Sequence, residues 1–325
     1  MEMKLIFAAA ALALVLLVAG CAGNGDASQG GGTQGGEKST IKVSGAWALY
    51  PLMVKWGEEY NKVNPNVKVE VSAGGAGKGM TDALAGLVEM GMVSRSIYPE
   101  EIEKGAFYVT VTEDAVVAVV NKGNPVLNEL LEKGMSREGF EKIYISGETK
   151  TWGGVIGKPE ITDKINVYTR SDSAGAPETW AAYFGKKQEN LLGIGVYGDP
   201  GLSEAVRKDR LGVGYNNIGY AYDMKTKKQI SGIAVVPIDT SGNGKIDADE
   251  MVYENIDTLT DAIGANKYPH PPARGLNLVV KEKFTGATKD FVKWILTDGQ
   301  QYVKESGYVP LPGEFVKEQI RKLGE

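Results

Sequence analysis

A strand, a glycine-rich turn and a helix follow one another repeatedly along this chain, and that succession limits the fold more than any other feature. Ile41-Lys42-Val43 alternates as a strand and ends at Ser44-Gly45. Residues Pro51 to Asn64 then place Leu52, Val54, Trp56 and Tyr60 at helical spacing. Val67 to Val71 is a second alternating strand, and it ends in Gly74-Gly75-Ala76-Gly77-Lys78-Gly79, which opens a helix through Met80 to Leu84. Met90 to Val93 predicts a third strand, closed by Ser94-Arg95-Ser96, and Ala115 to Val120 a continuous apolar one. The pattern resumes with a strand over Ile165 to Tyr168 and a turn over Arg170 to Ala176. Pro177 follows in the first turn of a helix, where its missing N–H costs nothing. A strand over Leu276 to Val280, an amphipathic helix from about Lys289 to Ser306 and a short charged helix complete the chain. Strands alternating with helices predict an open α/β sheet. There is no internal repeat of fixed period.

The chain's 325 residues suffice for two domains, and 42 % apolar with 24 % charged residues is ordinary for a globular protein. A net charge of -5 with both signs interspersed argues against a nucleic-acid partner, which needs a basic face. Cys21 is the only cysteine, so no intramolecular disulfide can form. It ends Leu17-Val18-Ala19-Gly20-Cys21, after Lys4 and an apolar run from Leu5 to Val18. A charged start, a short apolar stretch and a small-residue site have the layout of a secretory signal peptide. The run is shorter than the roughly 20 residues a spanning helix needs. The string resembles a lipobox, which predicts a leader over residues 1–20 and lipidation of Cys21. Residues 21–40 are rich in Gly, Ser, Asn, Gln and Thr and predict a flexible tether.

Several turns share one chemistry. Each lies after a strand and before a helix, where ligands bind in open α/β sheets. Unpaired amides at a helix N-terminus, with the helix dipole behind them, favour an anion. The candidates are Gly45-Ala46-Trp47-Ala48, Gly75-Ala76-Gly77 and Ala174-Gly175-Ala176, with Ser94 and Ser173 as hydroxyl donors. Arg95 and Arg170 stand at matching strand ends, and a guanidinium can hold an oxyanion through two N–H groups at once. Together these predict an oxyanion site.

Strings from residue 41 to 311 keep the order of a known family. They include Ser44-Gly45 to Tyr50-Pro51-Leu52, Gly74-Gly75-Ala76-Gly77, Val93-Ser94-Arg95, Arg170-Ser171-Asp172 to Gly175, and Gly212-Val213-Gly214-Tyr215. Tyr268-Pro269 to Arg274-Gly275 and Gly299-Gln300 to Gly307-Tyr308-Val309-Pro310-Leu311 continue the series. The chain resembles the substrate-binding lipoproteins of phosphate ABC transporters. The resemblance implies a type II periplasmic-binding fold: two α/β lobes joined by two crossover segments, with the ligand in the cleft between them. Lobe I is expected over 41–115 plus 275–325 and lobe II over 116–274, with crossings near Thr112 to Val120 and Pro271 to Val280. It further implies a monomer at the extracytoplasmic face of the membrane, capturing inorganic phosphate for an ABC permease and its ATPase, with no enzymatic activity. The chain departs from the family where Ala46, Trp47, Ala48, Ala76, Ala174 and Ala176 replace the usual hydroxyls. Arg95 stands where some members place a carboxylate that accepts the proton of hydrogen phosphate. Asp172 is expected to pair with Arg170, leaving Glu113, Asp114 and Glu178 as possible replacements. Sulfate, molybdate or tungstate is therefore the alternative ligand.

A second motif lies at residues 239–250. Asp239, Ser241, Asn243, Lys245 through its carbonyl, Asp247 and Glu250 fall at the oxygen-ligand positions of a calcium loop, with Gly244 at the sixth. The setting predicted is strand, loop, helix, and the role structural. A calcium-stabilised surface protein without a transport role is the reading from another class. His270, the only histidine, has no partner histidine for a metal site or triad and is expected in a loop near a crossover. The segment 74–79 lacks the Gly-Lys-Ser/Thr string of a nucleotide-binding P-loop.

Overall fold

The valine-rich run near residue 117 forms the C-terminal part of a long strand, Ala106–Asn121, that passes through both halves of the buried core. The computed structural model describes residues 39–324; the expected leader, Cys21 and the tether up to residue 38 lie outside the described residues. The described strands are β1 (Ser39–Gly45), β2 (Val67–Ala73), β3 (Met90–Val93), β4 (Ala106–Asn121), β5 (Asn166–Arg170), β6 (Ile194–Val196), β7 (Gly212–Asn217), β8 (Ile233–Val235) and β9 (Ala273–Lys281). The first described strand starts at Ser39 rather than Ile41, because Ser39 and Thr40 pair with Val67 and Lys68.

The strands run in the order β2-β1-β3-β9-β4-β7-β5-β6, with β8 also on β4. At the two ends the pairs are parallel, β1 with β2 and β3, and β5 with β6 and β7. In the middle, β9 runs antiparallel to β3 and β4, and β4 antiparallel to β7 and β8. Parallel neighbours need crossover connections. The helices Tyr50–Val63 and Ala76–Leu84 supply them at one end, and Gly175–Tyr183 at the other.

Buried apolar side chains separate into two cores. The first draws on Ile41 through Val111 and Leu276 through Leu323. The second draws on Ala115 through Ala273, with Val309. β4 belongs to both: Val109 and Val111 pack in the first, and Ala115 through Val120 in the second. β9 crosses the other way, with Ala273 in the second core and Leu276 to Val280 in the first. The mixed α/β architecture with two packed units agrees with the expected fold class.

Two local expectations are corrected. The helix expected over 289–306 is two helices, Gly286–Leu296 and Gln301–Glu305, parted by a turn at Asp298–Gln300. The break exposes the carbonyl of Gly299, which accepts the Trp56 indole N–H at 2.8 Å. The loop 239–250 follows β8 as expected, but no helix adjoins it; the next one is Ile256–Gly264.

Candidate functional site

The first turn leaves β1 at Gly45. The Ala46 amide donates to the Met92 carbonyl at 2.9 Å, and the Leu49 and Tyr50 amides fold back to the Ala46 carbonyl. Ala46 and Ala48 are buried and Trp47 is half-buried. The second turn is tied to the first, since the Gly74 and Gly75 amides donate to the Gly45 carbonyl at 2.9 and 3.0 Å. Gly75 has φ +93° and caps the helix Ala76–Leu84. The third turn follows β5, and Ala174 caps the helix Gly175–Tyr183 in extended backbone.

These turns meet across the two cores. The Gly77 amide donates to the Ser173 carbonyl at 3.3 Å. A Cβ on Gly75 would lie 2.6 Å from the Ser173 carbonyl and 3.1 Å from Asp172 Oδ2. A Cβ on Gly175 would collide with the carbonyl and Oγ of Ser94. Glycine is required at both places because backbone passes directly over backbone. The structure thus brings Ala46, Trp47, Ala48, Gly75, Ala76, Gly77, Ser94, Ser173, Ala174, Gly175 and Ala176 into one neighbourhood. The amides of Ala76, Gly175 and Ala176 lie in first helical turns, which lack intrahelical acceptors. Two helix dipoles therefore point their positive ends at the same place. The buried alanines add no side-chain donor.

Arg170 lies beneath this junction, 4 % exposed. Its Nε and Nη2 donate to Asp172 at 2.7 and 2.5 Å, and its Nη1 to Asp199 Oδ2 at 2.7 Å. Burial alone would lower its pKa, but Asp199 and Asp172 hold it above the ordinary arginine range. A guanidinium has five N–H groups, so two remain beyond those three bonds. Asp199 was not legible as a partner, being 29 residues away at the start of the helix Gly198–Lys208. It continues a buried chain: Asn217 Nδ2 donates to Asp199 Oδ1 at 2.8 Å, and Asn217 Oδ1 accepts from Arg274. Arg274 also donates to Asp114 Oδ1 at 2.9 Å and to Thr179 Oγ1 at 2.9 Å. Burial pushes the Asp114 and Asp199 carboxyls up despite these arginines.

Arg95 sits at the strand end, but its guanidinium is engaged elsewhere. Its Nη1 donates to the Ser96 carbonyl and to Glu101 Oε2, its Nη2 to Glu101 Oε1 at 2.7 Å, and it lies 4.2 Å from the centre of the Tyr98 ring. It lines a side cavity of ≈ 580 Å³ between the cores, with Tyr98, Glu178 and Arg274. Across it the Tyr98 hydroxyl donates to Glu178 Oε1 at 2.6 Å. Burial, then Glu178, push the Tyr98 phenol up. Glu178 also accepts the Gln188 amide at 3.2 Å, and the Glu113 carboxylate lies 3.8 Å from His270 Nε2.

The loop 239–250 is closed on itself. Asp239 Oδ1 accepts from Ser241 Oγ and the amides of Gly242 and Asn243, and Oδ2 from the Gly244 amide. Glu250 Oε1 accepts from the amides of Thr240 and Ser241, and Oε2 from the Asp247 amide. Asp247 accepts from Asn243 Nδ2 and pairs with Lys245 at 2.9 Å. The donor set is one of hard oxygens, suited in kind to calcium. Among the described residues, no three carboxylate, histidine or cysteine side chains gather at one point.

A family model described as the PBP superfamily domain matches residues 28–299. The chain is 28 % identical to the phosphate-binding protein PstS of Methanocaldococcus jannaschii, over 93 % of this chain and 90 % of that protein. It is 26 % identical to the phosphate-binding protein PstS of Bacillus subtilis, over 95 % and 94 %. Among solved structures it resembles a putative phosphate ABC transporter substrate-binding protein with bound phosphate from Clostridium perfringens. The TM-score there is 0.68 and the identity 22 %, over 84 % of this chain and all of that one. An ABC-type phosphate transport receptor from Vibrio cholerae gives a TM-score of 0.60 at 20 % identity, over 84 % of this chain and all of that one. The resemblance read from the motifs is borne out, and the chain belongs to the family described as the PBP superfamily domain.

Proposed function

We propose that this protein captures inorganic phosphate in the cleft between its two cores and delivers it to an ABC permease driven by an ATPase. The observation that carries the reading is the meeting of two helix N-termini, at Ala76 and Gly175, above a buried arginine. Unpaired amides and positive helix ends select an anion, and the enclosure by glycine turns selects a small one. The named relatives, phosphate-binding proteins matched over nearly their full length, support the same ligand.

Delivery fits the N-terminal sequence. Lipidation of Cys21 would hold the protein at the extracytoplasmic face, and no helix among the described residues is long and apolar enough to cross a membrane. Anchored there, a monomer would dock on a neighbouring permease. Calcium at the loop 239–250 would act structurally, through the oxygens of Asp239, Ser241, Asn243, Asp247 and Glu250 and the carbonyl of Lys245. Chelator should then lower the melting temperature of the wild type and leave that of Asp239→Asn unchanged.

The test of phosphate capture is calorimetry on protein freed of anion by unfolding, dialysis and refolding. Saturable 1:1 binding is expected. Absence of any saturable heat from the refolded protein would remove this reading.

A further inference from the structure

The second core carries a cavity of ≈ 410 Å³, and none of the residues lining it belongs to the anion turns. A volume of this size suits a small organic molecule. Its apolar lining is gathered from four segments. Leu131 comes from the helix Leu127–Lys133, Val235 and Pro237 from β8 and its continuation, Ile246 from the loop 239–250, and Met251 from just beyond that loop. Leu131 is 41 % exposed and Met251 71 %. Two large apolar side chains left in water around one hollow mark a binding place.

The lining is held in position by the protein itself. The Ile246 amide donates to the Glu132 carbonyl at 3.0 Å, which ties the loop to the helix. The Ile246 side chain fits against Gly134, where an added Cβ would lie 2.3 Å from Ile246 Cδ1. Gln229 Nε2 donates to the Tyr253 carbonyl at 2.9 Å, and its Oε1 accepts the Val235 amide at 3.1 Å. The Tyr253 hydroxyl accepts the Ile238 amide at 3.1 Å. The uncharged polar side chains of the lining, Gln229 and Tyr253, are thus engaged within the fold.

The charged ones are not. Glu132 and Glu254 also line the cavity, and both are exposed. Among the described residues, neither carboxylate has a side-chain hydrogen bond or an ion pair, and no lysine or arginine lines the cavity. Carboxylates beside an apolar hollow match one kind of ligand, a cation carried on an apolar body.

We propose that this cavity is a second binding site, taking a small organic cation: an alkyl or aryl group in the hollow and an ammonium or guanidinium group held by Glu132 and Glu254. The site is independent of the anion turns and of the capture reading.

Octylammonium, octanol and octanoate share a chain length and differ in the charge of the head. Each is titrated into the full chain at pH 7, with phosphate present, and followed by calorimetry and by methyl resonances. Octylammonium is expected to bind about tenfold tighter than octanol, as two exposed ion pairs contribute, and octanoate weakest of the three. The methyl resonances of Leu131, Ile246 and Met251 should move, and the preference for the cation should shrink as salt is raised. The double variant Glu132→Gln/Glu254→Gln should bring octylammonium down to the affinity of octanol and leave octanol unchanged. Ile246→Ala should weaken all three ligands. Equal binding of octylammonium and octanol to the wild type, or an undiminished preference in the double variant, overturns the proposal. So do methyl resonances that stay in place at millimolar octylammonium. Phosphate affinity should be the same with and without the amine; competition between them would put the cation in the anion cleft and overturn the second site.

Discussion

At the scale of single residues, the site depends on charges held in place rather than on charges left loose. Arg170 is gripped by Asp172 and Asp199, and it can present its remaining N–H groups only in the plane those two allow. Arg170→Ala would strand two carboxylates in the interior, a change that costs about 3–5 kcal/mol when one partner of a buried pair is removed. A lower melting temperature and loss of phosphate binding are both expected. Arg170→Lys keeps the charge but not the fork; it should recover part of the stability and little of the affinity, read by thermal melts and calorimetry. Gly175→Ala puts a methyl group onto the Ser94 carbonyl and Oγ. Affinity is expected to fall by about two orders of magnitude, roughly 2.7 kcal/mol, with a lower melting temperature, read by calorimetry and thermal melts. Arg170 was legible in the sequence because it stands at a strand end and precedes a glycine turn. Asp199 and Asn217 were not, because their roles come from strands and helices far apart in sequence. Arg95 was legible as a strand-end arginine, but its commitment to Glu101 depends on the course of the chain beyond Ser96.

At the scale of elements, β4 shows why some strands read clearly and others do not. Val116 to Val120 are buried on both faces, and the sequence shows an uninterrupted apolar run. β6 is three residues long, mostly exposed, and begins Ile194-Gly195, too little pattern to detect. The helix expected over 289–306 kept its periodicity on both sides of a break made by Trp56 reaching Gly299, a contact between residues 243 apart. β4 also changes register against β9 between Thr110 and Thr112. The Thr110 amide there donates to Gln319 Oε1 at 3.0 Å, and Gln319 is wholly buried. Gln319→Leu leaves that amide without an acceptor and should cost about 1–3 kcal/mol, measured by urea unfolding. The loop 239–250 has a pH signature. Burial would raise the Glu250 carboxyl, but Thr240 and the loop amides together hold it below the ordinary glutamate value. Its contribution to stability is therefore complete above the unfolded pKa near 4.5 and is lost as pH falls through the lower folded value. Glu250→Gln should flatten the fall of melting temperature below about pH 4.5. An unchanged slope would show that the loop does not depend on that charge.

At the scale of the whole molecule, polar contacts join the two cores away from the crossing strands. Gly77 with Ser173, Tyr98 with Glu178 and Tyr220 with Trp47 are among them. An anion between the helix N-termini would add contacts to both sides at once, so binding and closure should be one event. A ligand at 100 times its dissociation constant should stabilise the fold by about 2.7 kcal/mol. Tyr98→Phe removes one of the joining bonds without touching the turns; stopped-flow measurement should show faster anion release with little change in capture rate. Both ends of the described chain, β1 and the helix Gly313–Lys322, serve the first core, while the second is entered and left through β4 and β9. The second core is in effect a long insertion. A mechanical load applied through the chain ends would be borne by the first core alone, while the second stayed free to swing.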